Sequence, residues 1–188
     1  ISMYEDLPQR KVSNVISRLM YGDTPAGRTI LGPRENIKRY KRKDFLNYRN
    51  KHYVASSTTV IVSGDVSEQT VLKEVRKNFK DIREGKKFSK LAVREKQTSS
   101  QLAIFKKKTD QTHMIMAFRG YKANDKRIPA LNVLAGILGK GMSSRLFHKL
   151  RDEMGACYYV RASYDQQTDH GAFHISTGVR AHYWQLIY

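Results

Sequence analysis

The chain has 188 residues, 40% of them hydrophobic, enough to bury a core in one medium domain or in parts of two. Its longest apolar stretch, Ile128 to Leu138, is too short and too interrupted to cross a bilayer, and a single cysteine, Cys157, excludes an internal disulfide and so implies no oxidising compartment. The net charge of +18 raises the class of nucleic-acid-binding modules, but the basic runs at Lys38 to Lys43, Lys86 to Lys96 and Lys106 to Lys108 are spread along the chain, as on solvated faces.

The opening, Ile1 to Asp6, is not a basic and then apolar leader, and a start on Ile1 predicts that the true start lies upstream. Residues 5 to 20 read as a helix, with Val12, Val15, Ile16 and Leu19 at helical spacing and Pro8 in the first turns. Residues 21 to 34, rich in Gly, Pro, Asp and Thr, read as a loop. A second helix is predicted over 43–53, with Phe45, Tyr48 and His52 on one side. The β-branched run Thr58 to Ser63, ended by Gly64-Asp65, predicts a buried strand. Ser67 then caps a third helix carrying Val71, Leu72, Val75 and Phe79.

Residues 81 to 98 are polar, basic and aperiodic, and read as a linker. Two strands are predicted next, Gln101 to Lys107 and His113 to Phe118. Leu131, Leu134 and Leu138 mark a helix from about Ile128, broken by Gly139-Lys140-Gly141. Leu146, Leu150 and Met154 mark another. Tyr158 to Tyr164 and Gly171 to Gly178 predict antiparallel strands separated by a polar turn at Asp165 to Asp169, with Tyr121, Tyr159 and Tyr164 as sheet and core residues. Neighbouring strands mixed with helices indicate an α+β fold. Cys157, between Ala156 and Tyr158, reads as a small buried hydrophobe.

Three stretches carry a resemblance. The first is Ile1-Ser-Met-Tyr-Glu-Asp-Leu-Pro8, followed by Thr24-Pro-Ala-Gly-Arg-Thr-Ile-Leu-Gly32 and Glu35-Asn-Ile37. The second is Tyr53 with Thr59-Val-Ile-Val-Ser-Gly-Asp65. The third is Leu138-Gly-Lys-Gly-Met-Ser-Ser-Arg-Leu-Phe147, then Leu150-Arg-Asp-Glu-Met-Gly-Ala-Cys-Tyr158 and Asp169-His-Gly171. In this order and at these separations they resemble the insulinase/pitrilysin family of zinc metallopeptidases, the inverzincins, which includes processing-peptidase-like proteins. The resemblance extends to about Val179; Arg180 to Tyr188 carry no matching pattern.

The resemblance implies parts of two successive α+β domains, each an antiparallel sheet with helices packed on one face. Residues 1–85 would be the later part of a first, zinc-type domain, 86–98 a linker, and 99–188 the earlier part of a second, non-metal domain. In the family such domains close like a clamshell around a peptide. The first holds zinc through an H-x-x-E-H helix and a distal glutamate, leaving a position open for the water that attacks the scissile carbonyl. The chain departs from that pattern. None of His52, His113, His148, His170, His174 and His182 stands in such a motif. His170 and His174 flank a strand-like Gly-Ala-Phe. The distal glutamate would align just before Ile1, and Glu5 reads as a first-turn carboxylate favoured by the helix dipole. Zinc is therefore expected in the full-length parent and no metal in this chain.

In the second half, Asn132-Val-Leu-Ala-Gly136 stands where the metal motif would be and cannot bind a cation. Arg151 and Tyr158, seven apart with Gly155 between them, match the pair that the family's second half presents to the substrate. Both could donate hydrogen bonds to a scissile carbonyl. A structural role competes: Arg151 pairing with Asp152 or Glu153, and Tyr158 in the core. Gly139, Gly141, Ser143 and Ser144 form a glycine-rich turn that lacks the G-x-x-x-x-G-K-[ST] phosphate pattern; the resemblance makes it a loop near the substrate chamber.

The leading expectation is a piece of a zinc endopeptidase that cleaves peptides in a chamber, inactive alone, with a peptide substrate and a missing N-terminal portion as its partners. A non-catalytic partner subunit of the same fold is the second reading, and a basic nucleic-acid-binding module the third. The last has charge but no recognition motif, which predicts no specific nucleic acid. Exposed sheet edges leave homo-oligomerisation open.

Overall fold

A computed structural model describes residues 1–95 and 97–180. The chain forms two compact units, one of Ile1–Leu31 together with the chain from Ala92 onward, the other of Gly32–Leu91.

In the first unit, the single helix read over residues 5 to 20 is two: α1 (Ser2–Asp6) and α2 (Pro8–Tyr21). Leu7, at φ −94° and ψ 103°, separates them. The ring of Pro8 bars its predecessor from helical geometry, so the first helix stops there and the second starts with proline, whose missing N–H costs nothing in the first turn. Gly22, at φ +60°, closes α2 by donating its N–H to the Arg18 carbonyl at 2.9 Å.

Three strands follow: β1 (Gln111–Gly120), β2 (Cys157–Gln166) and β3 (Gly171–Arg180). They form one antiparallel sheet in the order β1-β3-β2. Strands β2 and β3 are the predicted pair, closed by the Gln167 N–H donating to the His170 carbonyl at 2.8 Å. Helix α6 (Ile128–Gly139) is the predicted one. Register and pleat put Phe173 and Ile175 of β3 on the face that also carries Ala162 and Tyr164 of β2, and there Ala135 and Leu138 of α6 pack. Burying Phe173, only 5% exposed, contributes roughly 1.5–3 kcal/mol. A second cluster joins Cys157, Val160 and Val179 to Leu146, Phe147 and Leu150. Burial pushes the Cys157 thiol up, so it is the inert hydrophobe expected. Tyr159 and Tyr164 are half-buried sheet residues: Tyr164 donates its phenol to the Tyr121 carbonyl, and Tyr159 meets His113 (Oη to Nδ1) at 3.1 Å, whereas Tyr121 itself lies just past the end of β1, outside the sheet.

The unit Gly32–Leu91 holds α3 (Arg34–Arg39), α4 (Arg42–His52) and α5 (Glu68–Phe79). Asp44 accepts from the Lys41 N–H at 2.9 Å at the start of α4. Ser67 caps α5 as read, its hydroxyl accepting from the Thr70 N–H at 3.3 Å. Tyr48 stacks on His52 at 4.3 Å between ring centroids, and His52 tilts against Phe88 at 4.6 Å. Among the described residues of this unit only Val54 is buried.

Two predicted strands are corrected. Thr58 to Ser63 is neither strand nor buried; Ile61 is 85% exposed. Gln101 to Lys107 is extended chain without strand pairing, with Leu102, Ile104 and Phe105 exposed. Both runs have strand composition, but a strand exists only where a neighbour takes its backbone hydrogen bonds. Among the described residues no strand pairs with either. The unpatterned residues from Ala181 lie outside the described residues.

The sheet's half-buried histidines, His113 and His174, give its stability a pH dependence. Burial lowers the pKa of His113 and of His174, against the opposing charge of Asp165 at His174. The fold thus favours neutral imidazoles, whereas the unfolded chain takes up protons below its ordinary histidine pKa of about 6.5. The unfolded state then binds more protons, so this stability is present above about pH 6.5 and is lost as pH falls through the lowered folded values. The melting midpoint should drop by about 2–6 °C between pH 7.5 and 5, and H113Q/H174Q should flatten that slope. A wild-type midpoint that does not fall over this range refutes the assignment.

Candidate functional site

The residues singled out from the sequence lie where α6 ends and β2 begins. Helix α6 can run close over β2 because its last residue is glycine: a Cβ on Gly139 would lie 2.3 Å from the Ala162 backbone nitrogen. The chain then turns through Gly141, at φ +102°, a conformation that favours glycine. Ser144 is buried and donates its hydroxyl to the Gly141 carbonyl at 2.7 Å, closing the turn on itself, whereas Ser143 is exposed. The Ser144 N–H also turns back to Gly141, at 3.3 Å, and so is not offered to a ligand.

The helix read from Leu146 to Met154 is a short α-turn, α7 (Arg145–Phe147), that widens into a π-helical turn over His148–Glu153. The widening is followed by Gly155, at φ +57°, which ends the turn in the left-handed geometry that stops helices. The Ala156 N–H reaches back to the Leu150 carbonyl at 2.8 Å. This reversal brings Arg151 against the first residues of β2. Its guanidinium donates to the backbone carbonyl of Tyr158 and lies 5.3 Å from the Phe147 ring centroid. The Tyr158 side chain is 47% exposed. Glu153 pairs with Lys149 at 2.6 Å and meets His148 Nδ1 at 3.1 Å, and the hydrogen-bonded Lys149 ammonium foremost holds its carboxyl below the usual range. The structure thus joins Arg151 and Tyr158, through a side chain and a main chain, and leaves both at the surface.

Sequence reasoning missed a second polar cluster. Arg119, at the end of β1, donates to Glu95 at 2.8 Å and to the Met20 carbonyl at 2.7 Å, and its guanidinium lies 5.7 Å from the Tyr21 ring centroid. Tyr21 meets the His170 ring edge-on at 4.8 Å, and His170 Nδ1 pairs with Asp169 at 2.7 Å. Burial, then the Glu95 charge, pushes the Tyr21 phenol up. These partners lie up to 99 residues apart, so no local spacing could reveal them. They tie α2 and the segment around Glu95 to the sheet.

Neither place fits a zinc ion. His170 and His174 answer to different carboxylates, Asp169 at 2.7 Å and Asp165 at 3.5 Å. Among the described residues no three His, Cys, Asp or Glu side chains converge where they could hold a metal. Arg151 and Tyr158 offer hydrogen-bond donors in place of metal ligands.

Comparison with known proteins identifies the architecture. The family model of the peptidase M16 inactive domain matches residues 39–187. An uncharacterized zinc protease of Bacillus subtilis, YmxG, is 31% identical over 187 residues, covering 100% of this chain and 45% of its own length. An uncharacterized zinc protease of Streptomyces coelicolor is 30% identical, covering 96% of this chain and 40% of its own length. The chain therefore spans less than half the length of these relatives. A crystal structure of a peptidase M16 inactive domain from Pseudomonas fluorescens superposes with a TM-score of 0.84 at 20% identity, over 96% of this chain and 44% of that one. A chain of Complex III2 from Candida albicans superposes with 0.79 at 18% identity, over 95% and 44%. With the model match covering most of the sequence, the chain belongs to the peptidase M16 inactive-domain family, and its α+β fold is that family's.

Proposed function

We propose that this chain forms a metal-free wall of a peptidase chamber and presents Arg151 and Tyr158 to the peptide bond being cleaved. The observation that carries the reading is the Arg151 guanidinium held against the Tyr158 main chain, with both side chains at the surface. One arm of the guanidinium is fixed by that carbonyl, leaving the remaining N–H groups and the Tyr158 hydroxyl as donors. Two pre-placed donors favour the negative charge that develops on a carbonyl oxygen under attack. The relatives named zinc proteases support a metallopeptidase parent. Since the residues here do not fit zinc, the attacking water would be activated by another part of the protein or by a partner subunit.

The test has two arms. The purified chain should hold no stoichiometric zinc by elemental analysis and should cleave no peptide. Mixed with the separately produced remainder of the Bacillus subtilis relative, it should restore cleavage of a peptide library. One zinc per chain, or turnover by the chain alone, refutes the reading; a complex that forms but stays inactive favours a non-catalytic partner subunit of the same fold.

A further inference from the structure

Arg151 is held in place without being neutralised. The carboxylates beside it in sequence, Asp152 and Glu153, do not pair with it. Glu153 instead accepts from Lys149 at 2.6 Å and meets His148 at 3.1 Å, and among the described residues Arg151 makes no ion pair. The guanidinium has two contacts that carry no net charge, the Tyr158 carbonyl and the ring of Phe147, whose centroid is 5.3 Å away. Phe147 ends α7, and Arg151 follows it by about one turn, so the two side chains leave the same side of the chain.

The ring is itself anchored. Phe147 packs, with Leu146 and Leu150, against the buried cluster of Cys157, Val160 and Val179. Cys157 and Val160 flank Tyr158 on β2, so the packing that seats the ring also seats the strand whose carbonyl Arg151 holds. The face of an aromatic ring attracts a cation yet brings no charge of its own. A carboxylate at the same place would bind the guanidinium more strongly but would cancel the charge that a developing oxyanion requires.

We propose that Phe147 is a positioning residue: its ring holds the Arg151 guanidinium beside Tyr158 and leaves the positive charge uncancelled. The proposal rests on the role given above to Arg151, because Phe147 acts only through it.

Two measurements separate the contact from its consequence. In the 188-residue chain, the Nε–Hε resonance of Arg151 reads the contact without any activity. A ring beside the guanidinium should displace that resonance from the position of a free arginine, and Phe147→Leu should return it toward that position. Cleavage is then measured with the chain mixed with the remainder of the Bacillus subtilis relative. Phe147→Leu should lower kcat about fivefold with KM little changed. It should add no further loss in a chain already carrying Arg151→Ala, since the two changes remove one device. Leucine also alters packing, so the stricter variant is 3,4,5-trifluorophenylalanine at position 147, which keeps the ring's shape and withdraws the negative charge of its face. It should lower kcat about threefold with the melting midpoint unchanged. A resonance that Phe147→Leu does not move, a full rate with the fluorinated ring, or an undiminished loss on the Arg151→Ala background overturns the proposal. Full activity of Arg151→Ala alone removes the reading beneath it, and the proposal with it, even where the resonance moves.

Discussion

Gly139→Ala should destabilise the first unit by about 2 kcal/mol or more, although alanine is the better helix former. The intrinsic gain is at most about 1 kcal/mol, and less at the last residue of a helix. Against it stands a new methyl 2.3 Å from the Ala162 nitrogen and 2.9 Å from the Ala162 Cβ. The obstacle is the main chain of β2, paired along its length with β3, and it cannot swing aside as a side-chain tip would. Overpacking of this kind costs about 1–3 kcal/mol even where neighbours yield. Gly136, three residues earlier on the same helix, has nothing within 4 Å of its would-be Cβ. Gly136→Ala should therefore stabilise, by about 0.5–1 kcal/mol. Thermal melting of the pair reads the contrast: about 4–8 °C down for the first and a small rise for the second. If both rise, α6 does not approach β2 as described.

The second large effect concerns Arg151 and Tyr158, in the chain mixed with the remainder of the Bacillus subtilis relative. Arg151→Ala should lower kcat about 10²-fold, the scale of losing one donor to a developing oxyanion, with KM little changed. Arg151→Lys keeps the charge and loses the planar fork, so it should recover only a small part. Tyr158→Phe is the cleaner variant. Arg151 bonds the backbone carbonyl of Tyr158, so removing the phenolic oxygen leaves that contact intact. A drop in kcat without a drop in melting temperature would place the phenol at the substrate. If Tyr158→Phe has full activity and Arg151→Ala loses stability in proportion to rate, the pair is structural.

Much of this could be read along the chain because its causes are local. Pro8, Ser67 and Gly141 act on their own neighbours, and the polar turn before Gly171 sets a hairpin whose two strands are adjacent in sequence. The spacing of Arg151 and Tyr158 around Gly155 was legible for the same reason; that Arg151 would hold a main-chain carbonyl was not. Thr58 to Ser63 and Gln101 to Lys107 show the limit. Their composition is that of strands, but pairing depends on a partner that composition cannot reveal. The Arg119 cluster lay beyond reach because it joins residues near 20, 95, 119 and 170. The family resemblance, carried by short motifs in order, is the family the comparisons show, and the missing H-x-x-E-H agrees with a match to a domain described as inactive.

Val54 is the one buried side chain described between Gly32 and Leu91. A stretch so thinly packed exerts little selective pressure through its own folding. Apart from Val54, Gly85 whose missing Cβ leaves room for it, the Ser67 cap, the Asp44 bond and the ring contacts from Tyr40 to Phe88, its described side chains are little constrained by their own packing. Where Ile61, 85% exposed, keeps its identity over evolutionary time, the cause must be sought in whatever surface it meets.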